Sequence, residues 1–329
     1  MGQNTELKRA VITGATGMIG ATLAQLLLAQ GIRVTALIRP GSPKKENLQP
    51  QENLDIVECA LDQLSSAVLP ERSYDALFHL GWMGTYGKAR NDAYLQNRNI
   101  TAALDAVTLA HRLGCHVFVG AGSQAEYGRI RENGGADRAE AVRQTGIALN
   151  ASVPERPETG YGMAKLCAGQ LSRLLCRSHG IRHVWTRFLS VYGPYDNSYT
   201  MVMSGIYQML DGKCPSYTRG EQLWDYIYSE DAARAMYLAA CRGRDGAVYC
   251  VGSGQVHPLA WYIGKIRDAA APGSEIGLGV LPYPPGQVMY LKADISDLTK
   301  DTGFAPQISF EEGIGRTVQW CREEMKRKE

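Results

Sequence analysis

Val11-Ile12-Thr13-Gly14-Ala15-Thr16-Gly17-Met18-Ile19-Gly20 joins a short apolar run ending at Ile12 to an apolar helical run from Ala21 to Ala29. The pattern reads as strand, glycine turn, helix. Glycine reaches crowded backbone conformations at little cost, and its missing Cβ lets a ligand lie against the main chain. The start of a helix presents unpaired N–H groups and the positive end of the helix dipole, so a pyrophosphate fits there. Gly14 is therefore expected to make the turn, Gly17 to admit phosphates, and Gly20 to let the helix pack close to the strand.

Composition narrows the class further. The chain has 329 residues, 45% hydrophobic and 21% charged, enough for one large core and a smaller lobe. A formal net charge of +2 supplies no field for steering nucleic acid, and Lys326-Arg327-Lys328 reads as a solvated helix end. Met1 to Lys8 lack the apolar centre of a signal peptide, and no apolar run approaches the ~20 residues a membrane span needs. A cytoplasmic protein with neither nucleic-acid nor membrane partners is expected. The eight cysteines include no C-x-x-C pair, and Cys115, Cys167 and Cys250 fall in apolar segments, so reduced thiols and no metal site are expected.

Downstream of the first helix, Ile32 to Ile38 is a β-branched second strand. A carboxylate about 20 residues past the glycines would bind adenosine ribose hydroxyls and favour NAD. This chain instead has Arg39, followed by Ser42, Lys44 and Lys45. A guanidinium holds a 2′-phosphate where a carboxylate repels it, which favours NADP and leaves NAD possible. Leu54 to Glu58 and Ala76 to Leu80 read as the third and fourth strands, and Asn91 to Leu113 as a long helix. The fifth strand, His116 to Val119, runs into Gly120-Ala121-Gly122-Ser123-Gln124-Ala125-Glu126-Tyr127-Gly128. A serine hydroxyl at that strand end can donate to a substrate carbonyl, although such serines also serve as caps. Tyr161-Gly162-Met163-Ala164-Lys165 places a phenol and an ammonium four residues apart on one helix face. A phenol with an ordinary pKa of about 10 is a poor acid or base near neutrality unless a cation stabilises its anion.

In this order and at these separations, the TGATGMIG turn, Ser123-x-x-x-Tyr127-Gly128 and Tyr161-x-x-x-Lys165 resemble the extended short-chain dehydrogenases/reductases of the NAD-dependent epimerase/dehydratase type, which modify nucleotide sugars. The resemblance implies that Ser123, Tyr161 and Lys165 are catalytic. It implies cofactor contacts from Gly14, Thr16, Gly17, Met18, Ile19, Gly20, Arg39, Leu80, Gly81, Asn99, Tyr161, Lys165 and Phe188, and substrate contacts from Trp82, Ser123, Gln124, Glu126 and Ser190. Trp82 and Met83 stand where relatives have small residues, and either line the cleft or pack in the core. Asn99 either approaches the catalytic lysine or is a buried structural amide. Ser190 and Trp224 replace an asparagine and an arginine of the family pattern, and Pro284 another arginine, which puts the usual grip on a diphosphate in doubt. Gln124 and Ala125 stand where a dehydratase carries Asp-Glu, which argues against dehydration. Asp231 reads as a capping carboxylate at the start of an alanine-rich helix. Residues 129–150 have no role assigned.

The expected architecture is an α/β doubly wound parallel sheet of the Rossmann type with a small C-terminal substrate-binding lobe. Residues 1–194 and 223–254 would form the dinucleotide-binding part, and 195–222 with 255–329 mainly the lobe. The expected activity is NADPH-dependent reduction of a nucleotide-linked 4-keto-6-deoxy sugar. NAD-dependent epimerisation of a nucleotide sugar is the alternative, and a non-catalytic NADP-binding regulator a third reading. The helices Asn91 to Leu113 and Tyr161 to His179 carry apolar stripes that face either the sheet or a second copy, and the resemblance implies a homodimer through them.

Overall fold

The computed structural model describes residues 6–129 and 146–328. Seven strands form the central sheet: β1 (Arg9–Thr13), β2 (Arg33–Ile38), β3 (Leu54–Glu58), β4 (Ala76–His79), β5 (Val117–Ser123), β6 (Arg182–Phe188) and β10 (Ala247–Val251). They lie in the order β10-β6-β5-β4-β1-β2-β3 and every pairing is parallel. Such a sheet is covered on both faces, so its strands read as continuous apolar runs rather than alternating ones. The residues of β4 are all buried, as are Ala10 to Thr13 of β1.

Helices α1 (Met18–Ala29) and α5 (Ser229–Arg242) pack together over one face, and α2 (Ala93–Arg112) and α3 (Gly160–Ser178) over the other. The second face shows most directly how sequence dictates packing. Ideal Cβ atoms at Gly120, Gly122 and Gly169 would fall 2.1, 2.3 and 2.7 Å from the Trp185 ring. Three glycines on β5 and α3 thus make room for one indole, which draws the helix onto the strand ends it must serve.

Beyond β7 (Ser190–Tyr192) the chain leaves the main sheet. The remaining elements are α4 (Met201–Leu210), β8 (Leu223–Trp224), β9 (Tyr226–Tyr228), β11 (His257–Pro258), α6 (Leu259–Ala270), β12 (Tyr290–Leu291), α7 (Ser296–Thr302) and α8 (Phe310–Lys328). A second core joins α4, α6 and α8 through Ile206, Met209, Ile263, Ile266, Ile314 and Val318. Leu298 and Phe304 depart from the expected division, because they pack in the main core with α5 instead. Residues 195–199 are tied to three elements around the glycine turn. Gln25 of α1 donates to the Tyr195 hydroxyl (3.1 Å), Lys44 donates to Asn197 (3.0 Å), and Tyr86 stacks on Tyr199 at 4.2 Å between ring centroids. Among the described residues no helix is long and apolar enough to cross a membrane, and no cluster of His, Cys, Asp or Glu could hold a metal ion.

Candidate active site

Parallel strands put their C-terminal ends on one edge, and the loops there form the crevice. Gly14 has φ +69° and a Cβ on it would lie 2.6 Å from the Gly81 nitrogen, so the turn after β1 rests on the chain after β4. At Gly20 a Cβ would lie 2.3 Å from the Gly14 carbonyl, which is the close approach expected there. Gly17 is different: its nearest outside atom is the Gly14 carbonyl oxygen, 3.4 Å from an ideal Cβ. Helix α1 starts at Gly17 without a side-chain cap and without an acidic residue in its first turn. Its leading N–H groups therefore face the crevice with no side chain competing for them, a cradle that fits the pyrophosphate of a dinucleotide. Gly14, Thr16, Gly17, Met18 and Ile19 would hold that group. Asn47 steadies the turn by donating to the Thr16 carbonyl (2.8 Å).

Arg39 is exposed at the end of β2 and has no ion-pair partner among the described residues. Lys44 is tied to Asn197, and Lys45 lies 3.8 Å from Glu58. Of the cations read from this stretch, Arg39 is the one without such a tie.

Asn99 is a structural amide. It donates to the Met83 carbonyl (2.9 Å) and accepts from the Met83 N–H (2.8 Å), fixing the loop after β4. That loop presents Trp82 to the reactive groups. The Trp82 ring meets Tyr161 edge-on at 6.0 Å and lies 3.7 Å from the Lys165 ammonium, while its own N–H donates to Gln96 (2.9 Å). Trp82 thus meets both reactive side chains and also packs against the small core cluster of Ala103, Ala168 and Trp185.

Ser123 closes β5, and Tyr161 and Lys165 follow on the first two turns of α3, which Thr159 caps by accepting from the Gly162 N–H (3.1 Å). Burial pushes the Tyr161 phenol above its ordinary range. A hydrogen bond with Ser123 and the Arg90 guanidinium hold it down, and the Glu126 carboxylate pushes it up. Arg90 stacks over the Tyr161 ring at 4.3 Å. Burial brings the Lys165 ammonium down to about 7, with Glu126 opposing. Two cations thus stand by the phenol ring, and Arg90, which the sequence reading did not name, is the nearer. A buried ammonium needs an acceptor, and Lys165 finds one in the Ala121 carbonyl (2.6 Å), leaving its nitrogen 5.9 Å from the Tyr161 ring centre. Arg90 arrives from a loop some 70 residues upstream, with no motif to mark it.

Glu126 does not line a sugar site. It is fully buried: Oε2 accepts from Arg187 Nε (2.6 Å), and Oε1 accepts from the Ser123 N–H (2.8 Å) and from Trp185 Nε1 (3.1 Å). Arg187 is held again by Glu155 (2.8 Å) and lies 4.6 Å from the Tyr127 ring centre. Gln124 is half-buried beside this turn. Leu80 and Gly81, read as cofactor contacts, lie against the glycine turn, with the Gly81 N–H donating to Thr13 (3.1 Å). Phe188 pairs with Ser123 in the β5–β6 register, but its side chain belongs to the main core. Ser190 accepts from Trp224 Nε1 (2.7 Å), so two departures from the family pattern are partners of one another.

Asp231 is not the cap of α5. Tyr228 holds that position, and Asp231, in the first turn, accepts from the Gln307 and Ile308 N–H groups (2.9 Å each) and from Arg234. It ties the segment before α8 to the helix. Of the excursion at 129–150, residues 130–145 lie outside the described residues, and Arg129 at its start pairs with Glu158 (2.6 Å).

Comparison with known proteins agrees with this fold. The dTDP-glucose 4,6-dehydratase of Streptomyces niveus is 26% identical over 96% of this chain and 93% of its own length. The corresponding protein of Shigella flexneri is 29% identical over 50% of this chain and 47% of its own. The structure of the UDP-N-acetylglucosamine 4-epimerase from Methanobrevibacter ruminantium, in complex with UDP-N-acetylmuramic acid, superposes with a TM-score of 0.83 at 25% identity, covering 98% of this chain and all of that one. DesIV, a dTDP-glucose 4,6-dehydratase from Streptomyces venezuelae with NAD bound, shares the fold at a TM-score of 0.79 and 22% identity, over 97% of this chain and 98% of its own. The family pattern itself spans residues 10–252, from the glycine turn to the last strand of the sheet, and the chain belongs to the NAD dependent epimerase/dehydratase family.

Proposed function

We propose that this enzyme reduces a nucleotide-linked 4-keto-6-deoxy sugar with NADPH. One observation carries the reading: beside Ser123 the nearest carboxylate, Glu126, is turned into the protein against Arg187. The two positions after Ser123 are Gln124 and Ala125, so no acid–base pair of the dehydratase kind stands there. Carbonyl reduction needs one proton and one hydride. When bound, the nicotinamide supplies the hydride. Tyr161 gives its proton to the carbonyl oxygen, and Ser123 donates a hydrogen bond to the same oxygen as charge develops on it. Lys165 would hold the nicotinamide ribose and keep positive charge close by, with Trp82 excluding water from its other side. The exposed guanidinium of Arg39 supports the 2′-phosphate form of the cofactor.

Nucleotide-sugar epimerisation with resident NAD is the second reading, and residues 195–199 favour it. Their ties reach α1, the loop after β2 and Tyr86, and a segment fastened at three points suits a cofactor that is retained through turnover. Incubation with a dTDP-4-keto-6-deoxyhexose and NADPH, followed at 340 nm, separates the two. Stoichiometric NADPH loss supports reduction. Interconversion of UDP-sugars with catalytic NAD and no net absorbance change supports epimerisation and overturns the first reading.

A homodimer belongs to the same proposal. Met163, Leu171 and Leu174 lie exposed along one face of α3, and Tyr94 is exposed on the neighbouring α2. Burying these side chains against a second copy would remove their apolar surface from water.

A further inference from the structure

The chemistry proposed above makes no use of the most heavily bonded side chain in its neighbourhood. Glu126 has no solvent exposure and satisfies its carboxylate with the Ser123 N–H, the Trp185 indole and the Arg187 guanidinium. Ser123 answers by accepting from the Ala125 N–H (3.2 Å), so the serine and the glutamate close a reciprocal turn at the end of β5. The space for this carboxylate is reserved in the strand. A Cβ on Gly122 would stand 2.5 Å from Glu126 Oε1.

A buried ion pair is a costly way to hold a turn, since desolvation of both ions consumes most of their attraction and apolar pairs of similar volume often serve as well. A neutral amide could accept from the Ser123 N–H. What a neutral group cannot supply is charge, and the groups around Lys165 are mostly cationic or neutral. They are Tyr161 on its own helix, His79 of β4 and Glu126 in the turn after β5, with Arg90 stacked on the Tyr161 ring. Among the described residues, Glu126 is the one acidic side chain that acts on Lys165 or Tyr161.

We infer that Glu126, clamped by Arg187, is a positioning residue for catalysis: it fixes Ser123 at the strand end for the reacting oxygen and places a carboxylate at the same end of β5 where Lys165 donates to the Ala121 carbonyl. The inference rests on the assignment of Ser123, Tyr161 and Lys165 to the reaction. Removing the charge leaves a buried ammonium that gives up its proton more readily, so the pH at which Lys165 becomes neutral falls.

The test uses two variants of the full chain, because Glu126→Gln alone leaves Arg187 with Glu155 as its remaining partner and endangers folding. The second, Glu126→Met with Arg187→Met, replaces the pair by apolar side chains. Turnover against pH, KM, and the ¹³C resonances of the lysine ε-carbons against pH in the free protein are measured for both and for the parent. The expected result is a turnover loss of about tenfold or more with KM changed less than threefold. The Lys165 titration should move to lower pH by about one unit in whichever variants fold. A folded double variant with parental turnover and an unmoved Lys165 titration overturns the inference. So does lost turnover with an unmoved titration, since a scaffold role alone would produce that. Tyr161→Phe, run in parallel, keeps the underlying reading separate: if it turns over like the parent, that reading fails whatever the Glu126 variants do.

Discussion

The ends of β6 and β2 both lead to an arginine, and the two arginines live under opposite physics. Arg187, opposite Gly122 in the β5–β6 register, is buried with a carboxylate on each side. Arg39 is exposed to solvent just beyond β2. A buried guanidinium is held by the carboxylates the fold places beside it, so those partners define its role. An exposed one is cheap to hold in several orientations and acquires its role from whatever anion arrives. The comparison teaches where function can be argued from the free protein: at the end of β6 it can, and at the end of β2 the ligand decides.

The largest expected effect falls on the buried side. Tyr161→Phe removes the proton donor and should lower turnover about 100- to 10,000-fold while the dissociation constant for the cofactor, measured by fluorescence titration, changes little. An unchanged rate would break the site assignment.

Arg187→Met tests the matching itself. Leaving Glu126 and Glu155 without their cation should cost about 3–5 kcal/mol in urea unfolding. Arg39→Asp should leave unfolding within about 0.5 kcal/mol of the parent. The same Arg39→Asp variant should weaken NADPH by about tenfold or more and reverse the preference over NADH, as isothermal titration would read. If Arg39→Asp proved as destabilising as Arg187→Met, or left cofactor choice untouched, the contrast between the two ends would collapse.

Buried imidazoles give a pH signature of the same kind. His79 is brought down to about 3 and His183 to about 4, each chiefly by burial. In the unfolded chain both would titrate near 6.5, so between these values the unfolded state binds more protons. Stability should therefore be full above about pH 6.5 and fall as pH drops toward 4, by up to about 3 kcal/mol per imidazole. Replacing His183 with Asn, which can keep a hydrogen bond to Ser172 (2.9 Å in the parent), should flatten that slope by one proton. An unchanged slope would show that His183 is protonated in the folded state. The smallest effect is expected at the α3 surface. Leu174, 66% exposed, changed to Asp should leave the monomer's stability nearly intact but abolish a dimer in sedimentation at micromolar concentration. A parent that sediments as a monomer removes the dimer altogether.

Much of this was legible because it is local. The turn at Gly14 needs a positive φ, Tyr161 and Lys165 share a helix face by spacing, and α4 and β10 run over the residues that periodicity assigns to them. Elsewhere the sequence reading left two answers open, as at Asn99 and Trp82, because burial cannot be deduced from a single position. Misassignments followed one pattern. Glu126 read as a sugar contact from its nearness to Tyr127, and Asp231 read as a cap from its nearness to a helix start. In each case the partners came from far along the chain: Arg187 and Trp185 for Glu126, Gln307 and Ile308 for Asp231.

The sequence by itself determined the strand–turn–helix around Gly14 and Gly20, the order of the parallel strands' motifs and the placing of Tyr161 and Lys165 on one helix, since each depends on backbone conformation or periodicity within a few residues. Tertiary structure alone decided that Arg90 rather than Lys165 covers the Tyr161 ring, that Ser190 and Trp224 satisfy each other, and that Glu126 faces inward. Those outcomes depend on which strands and loops are brought side by side. A charged or polar group taken out of water must then accept the nearest partner the fold supplies.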